Sequence, residues 1–252
     1  MHVIFRTLPY VSVLNVESDE LHILHLGVSQ YLLGSVLWLL AYNRPGPAQQ
    51  NIQQVWEMIL GEYDSRTGGC QFTTLGLSSF INIDNWKTEY PRLRGRGAEV
   101  KGLASPLKVV WQRLAVGSPY RQDVARALGL LEDLHKILDE NSASVHLPLD
   151  EAGKFVQATD GFLATYTALG HMADRQGHLL FSAVPKLHWL WHMAARAAYI
   201  NPRRVACFLD EDFVRHMKRL ASHCTAGTQL HNVPNSVLAK YRWAVYLERL
   251  AL

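Results

Sequence analysis

The sequence predicts a mainly α fold opened by a short N-terminal β element. Apolar residues recur at helical spacing in about seven or eight stretches, whereas alternation of apolar and other residues is confined to the first sixteen positions. No internal repeat and no low-complexity linker interrupts the chain, which argues against freely tethered domains. The β element is read from Val3-Ile4-Phe5 and Val11-Ser12-Val13-Leu14-Asn15-Val16, both rich in β-branched residues. At Ser18-Asp19-Glu20 the period changes. Leu21, Leu24, Val28, Tyr31, Leu32, Val36 and Leu39 follow helical spacing, with Ser18 or Asp19 placed to cap the helix. Asn43-Arg44-Pro45-Gly46-Pro47 ends it.

A second helix follows on Ile52, Val55, Trp56, Ile59, Leu60 and Tyr63, then a turn at Gly68-Gly69 and a basic looped stretch from Trp86 to Lys101. Helices are expected over Tyr120 to Leu138, from a cap at Asp150, over Lys186 to Tyr199, from Asp210, and from Asn235. The organisation expected is a β unit and first helix over 1–42, a helical region over 43–180 and C-terminal helices over 181–252.

Composition bounds the function without revealing it. The chain has 252 residues, 48% of them hydrophobic and only 19% charged, which supports a large core and excludes a disordered or coiled-coil chain. A formal charge of +3 is too mild to mark a nucleic-acid binder by itself. Cys70, Cys207 and Cys224 form no C-x-x-C pair, so neither a zinc knuckle nor a disulfide framework is supported. A reducing compartment, nuclear or cytoplasmic, is expected, and no secretion. Leu21 to Tyr42 contains no Asp, Glu, Lys or Arg. His22, His25, Ser29 and Gln30 interrupt its first half, so it reads as a buried core helix rather than a membrane span.

Four clusters could carry chemistry. Asp19-Glu20-Leu21-His22 lies at a strand-to-helix junction. Its carboxylate is either a helix cap, which local sequence favours, or a hard oxygen ligand suited to Mg²⁺ or Mn²⁺. Asp210-Glu211-Asp212 precedes a helix carrying Lys218-Arg219, an arrangement that complements the helix dipole. A metal role there requires a second carboxylate brought close by the fold. Lys186-Leu187-His188 and His192 place two imidazoles one turn apart, but Trp189 stands where the zinc-protease motif has Glu, and a packed helix is the simpler reading. Lys87, Arg92, Arg94, Arg96 and Lys101, with Trp86 and Tyr90 nearby, form either a solvated loop or a track for phosphates. Phosphate-loop and nucleophile-elbow motifs are absent.

The block Asp19-Glu20-Leu21-His22-Ile23-Leu24-His25-Leu26-Gly27-Val28 resembles the D-x-[LM]-H-x-x-x-L-G-V signature around the second catalytic Asp of CACTA-type transposases, DDE enzymes with an RNase H-like core. Lys186 to His192 is similar to the family's K-x-H-x-x-x-H stretch, and Glu211, seven positions before Lys218, falls where the family has its final Glu. The resemblance implies a partial RNase H-like core interrupted by a large helical insertion. It implies Asp19 and Glu211 as metal-binding carboxylates, with His22 steadying Asp19 or the scissile phosphate. Mg²⁺ or Mn²⁺ would then serve phosphoryl transfer on DNA. Lys186, His188, Lys218 and Arg219 join the basic stretch as expected DNA contacts, and self-association is a second expected partnership. No Asp precedes Asp19, and Glu17 is too near to replace the family's first catalytic Asp. The expectation is a transposase-derived fragment or domesticated copy, inactive alone. The alternative is a non-enzymatic helical interaction or nucleic-acid-binding protein.

Overall fold

A computed structural model describes residues 17–63, 70–82, 88–225, 227 and 229–250, with the side chains of 209–212 and 248–250 outside the description. The expected strands at 3–5 and 11–16, the turn at Gly68-Gly69, and Trp86 and Lys87 lie outside the described residues. The described chain is mainly helical and contains no strand. It divides into a unit running to Ala206 and a second from Cys207 to Leu252. Helices from all three expected segments, 1–42, 43–180 and 181–252, therefore contribute to the first unit.

The centre of that unit is one bent helical rod. A π-helical turn, Leu21–Ser29, runs into α1, Gln30–Tyr42. Leu32, Leu33, Val36, Leu37, Leu39 and Leu40 are buried on every side of α1, as expected for a helix enclosed by others rather than laid on a surface. Leu21–Tyr42 is long and apolar enough to cross a membrane, yet 83% of its most apolar window is buried inside the fold, the place of a core helix. Against it pack α2 (Ala48–Glu62), α3 (Gly97–Leu114) and α6 (Lys186–Arg196), and the long pair α4 (Arg121–Glu140) and α5 (Leu149–Arg175) packs onto α3 and α6. A 3₁₀ turn, Pro202–Val205, closes the unit against α4. The side chain of Asn201 accepts from the Arg203 amide at 3.0 Å and donates to the Asn141 carbonyl at 2.8 Å, anchoring that turn.

Two local expectations need correction. Asp150 does not cap α5. Pro148 already sets the backbone for entry, the helix begins at Leu149, and Asp150 with Glu151 falls inside the first turn, where carboxylates suit the dipole. The basic stretch is not looped throughout. The Glu99 carboxylate accepts from the Arg96 amide at 2.7 Å, α3 starts at Gly97, and Lys101 rides on the helix.

What precedes α3 lies against α1 as extended backbone. Leu93 donates its amide to the Gln30 carbonyl at 2.9 Å, while the amides of Arg92 and Arg94 each reach 2.7 Å to the carbonyls of Phe80 and Ser79. The segment can lie this close because α1 presents Gly34 beneath it. A Cβ there would stand 2.9 Å from the Arg92 and Leu93 nitrogens and from the Pro91 carbonyl carbon. The second unit is a helical pair, α7 (Phe208–Thr225) and α8 (Val233–Leu250), joined by an edge-to-face contact of Phe213 with Tyr241 at 5.9 Å.

Gly34→Ala should destabilise the protein, because about 1–3 kcal/mol of overpacking against backbone exceeds the ~1 kcal/mol gain in helix propensity. Gly153→Ala, on α5 with nothing within 4 Å of the added methyl, should stabilise by about 0.5–1 kcal/mol. Urea denaturation midpoints of the two variants check the opposite signs.

Candidate functional site

Asp19 caps the π-helical turn. Its carboxylate accepts from the amides of Leu21 and His22, both at 3.1 Å, and from the His22 ring through Nδ1. A spacing of three places the imidazole one turn above the carboxylate, which is the physical content of the D-x-x-H pattern. The pair lines a cavity of about 580 Å³ together with Tyr31, Arg92, Lys186 and Trp189. A neighbouring cavity of about 730 Å³ shares Tyr31 and Arg92 and adds Gln30, Tyr90 and Arg94. The two form one furrow over the extended segment.

Lys186 is fixed there by a contact that spans 160 positions: its ammonium donates to the Leu26 carbonyl at 2.9 Å. The backbone departs from helix at Gly27, with φ −120° and ψ −108°. A Cβ on Gly27 would lie 2.8 Å from the Lys186 Cδ and 2.7 Å from the His22 carbonyl oxygen. The Gly of the first motif therefore makes room for the Lys of the second. Arg92 is fixed independently. Its Nε donates to the Gln30 side chain at 2.9 Å, and its guanidinium lies 5.7 Å over the Tyr31 ring.

Burial, then the neighbouring Arg92 charge, holds the Lys186 ammonium below its ordinary value, and Asp19 opposes the shift. Two cations thus press on one another in a half-enclosed furrow. The other carboxylate in the cavity, Glu17, is engaged by Arg196 at 2.5 Å. Within the cavity beside His22, the described residues of the first unit offer a dication one capped carboxylate, one engaged carboxylate and one imidazole, beside Arg and Lys, with Glu89 farther along the furrow. Mg²⁺ takes a set rich in free oxygens, and the Arg92 and Lys186 charges beside these donors oppose a dication there.

The expected residues divide accordingly. Asp19, His22, Arg92, Arg94 and Lys186 come together along the furrow. Arg96 is exposed at the start of α3, and Lys101 is tied to Asp139 at 2.5 Å. His188 is exposed on α6, 2.9 Å from His192. Lys218 and Arg219 are exposed on α7 of the second unit. The backbone of Glu211 falls in α7, but its side chain and that of its neighbours lie outside the described residues, as does Lys87.

One buried cluster was not read from the sequence. Glu20, adjacent to Asp19, points the opposite way into the core. It bonds the His25 Nε2 at 2.9 Å and meets the Arg203 guanidinium at 3.3 Å. His25 lies 5.0 Å from the His135 ring across to α4. Burial alone would raise the Glu20 carboxyl, but the hydrogen bond and charge of His25, then Arg203 and Lys101, hold it below its usual value. Burial, then the charges of His25, Lys101 and Arg203, pushes His135 well below its own. No local pattern marks this cluster as a whole, because His135 reaches it from α4 and Arg203 from the 3₁₀ turn.

Comparison with protein-family models, with curated proteins and with solved structures returns no match.

Acidification should destabilise the fold in two stages. The unfolded chain protonates His135 near its ordinary 6.5 before the folded chain does, so stability falls as pH drops below that value. Glu20, with a depressed folded value, adds stability above its ordinary 4.5 that is lost further down. His135→Leu should flatten the upper stage and leave the lower one. Denaturation midpoints between pH 7.5 and 3.5 measure both.

Proposed function

We propose that the chain is a transposase-derived protein whose furrow binds the phosphate backbone of DNA without cleaving it. The observation that carries this reading is the placement of Asp19, His22, Arg92 and Lys186 around one cavity, with Arg94 continuing the line. The first four come from the motifs that resemble the transposase family and from the basic stretch; Asp19 and His22 bond each other, while Arg92 and Lys186 are each held by a contact of their own. Arg92 offers a planar fork and Lys186 a compact point charge, the two cationic groups suited to phosphate oxygens. A phosphate between them relieves their mutual repulsion, whereas a metal ion would add to it. Tyr31, Tyr90 and Trp189 border the same path as apolar and stacking surface.

Metal-dependent strand transfer is the ancestral chemistry under this reading. It requires three carboxylates around a metal pair, and Asp19 is committed to its cap and to His22. No turnover is expected with Mn²⁺ or Mg²⁺. The reading leaves the furrow a binding and positioning surface, with His22 at its end.

Fluorescence anisotropy with a labelled oligonucleotide tests it. Lys186→Ala and Arg92→Ala should each weaken binding about tenfold and reduce the slope of log affinity against log salt by about one. Lys101→Ala should leave DNA affinity unchanged, since its ammonium faces Asp139. Binding that is indifferent to salt and to both furrow substitutions would favour the helical interaction protein, in which Asp19 is only a cap.

A further inference from the structure

We propose that His188 and His192 form a chelating site for a late first-row transition-metal ion, Cu²⁺ before all others, on the outer face of α6. The site adjoins the furrow only through Trp189 and does not depend on the DNA reading. His188 is exposed and His192 half-buried, while Leu190, Met193 and Ala194 turn the other side of α6 into the core. The two histidines are therefore not packed core residues.

Their Nε2 atoms stand 2.9 Å apart. Imidazole nitrogens bind such ions at about 2.0–2.1 Å. Two of them at right angles around one ion lie about 2.9 Å apart, and at the tetrahedral angle about 3.3–3.4 Å. The spacing found here is that of a hydrogen bond between the rings, and it also equals the cis separation of a square-planar or tetragonal centre, the preference of Cu²⁺ and Ni²⁺ rather than Zn²⁺, once both rings turn their lone pairs toward one ion. Imidazole is also the ligand type for which the divalent series peaks at Cu²⁺. Mg²⁺, which prefers oxygen, has no claim on it.

The rings are held before any ion arrives. Trp191 stacks on His188, with interplanar angle 15° and centroids 6.4 Å apart, and meets the His192 ring edge-on at 5.0 Å. Trp189 contacts His192 from another side at 5.8 Å. Aromatic neighbours restrict the rotamers that a metal would otherwise have to order. In the present pair one Nε2 donates and the other accepts. Binding requires both lone pairs, so the donor ring shifts its proton from Nε2 to Nδ1 through solvent, with no net proton released.

Titration of the full chain with Cu²⁺ alone, followed by calorimetry, tests the site. His188→Gln and His192→Gln should each remove one equivalent of bound copper or weaken it at least tenfold, while His146→Gln, exposed elsewhere, should not. Both substitutions are on the helix surface, and circular dichroism checks the fold. A second measurement needs no variant: Cu²⁺ should slow carbethoxylation of His188 and His192, read peptide by peptide by mass spectrometry. Copper binding unchanged in both variants, equal carbethoxylation with and without Cu²⁺, or tighter retention of Zn²⁺ than of Cu²⁺ would overturn the proposal.

Discussion

The hydrogen bond from the Lys186 ammonium to the Leu26 carbonyl is the contact on which the site depends. It ties the entrance of α6 to the bend at Gly27 within the π-helical turn, 160 positions earlier in the chain. Gly27 makes the contact sterically open, since any side chain there would occupy the space of the lysine stem. The same bend leaves Asp19 and His22 at the head of the rod, where the lysine arrives. A motif near the start of the chain and another near Lys186 are thereby one structural object.

Adjacent residues at that junction serve opposite purposes. Asp19 faces the furrow, where it caps the turn and carries His22. Glu20 faces the core, where it holds His25 and the 3₁₀ turn through Arg203. A buried carboxylate survives such a position only with charged partners. The charge it draws inward includes the influence of Lys101, which the fold assigns to Asp139 and thereby withdraws from the basic surface. Among the described residues, the cations left along the furrow are Arg92, Arg94 and Lys186, a smaller and more directional set than the basic stretch offers by composition.

Helix positions were legible because their apolar stripes are regular: α2 and α4 lie where Ile52 to Tyr63 and Val124 to Leu138 place them. The buried character of Leu21–Tyr42 was legible too, from the histidines and polar residues that break it. Features set by backbone rather than by pattern were not. The entry of α5 is decided by Pro148, and that of α3 by the Glu99 reach-back, both stronger local signals than the capping potential of Asp150 or the loop-like composition before Lys101. The D-x-x-H geometry was visible in its spacing, but the union of Arg92 with Lys186 is a tertiary fact. So is the Glu20 cluster: Glu20 and His25 share one segment, but Arg203 and His135 join them from distant parts of the chain. Glu211, the other acidic residue that the resemblance singles out, has its backbone in α7 and its side chain outside the described residues.

Amide hydrogen exchange of the intact protein, with and without a DNA oligonucleotide at low salt, tests the account most directly. Bound DNA should slow exchange at 19–23, 90–95 and 184–189 together, because these segments build one surface. Protection confined to α7 and α8, or no protection anywhere, would contradict it.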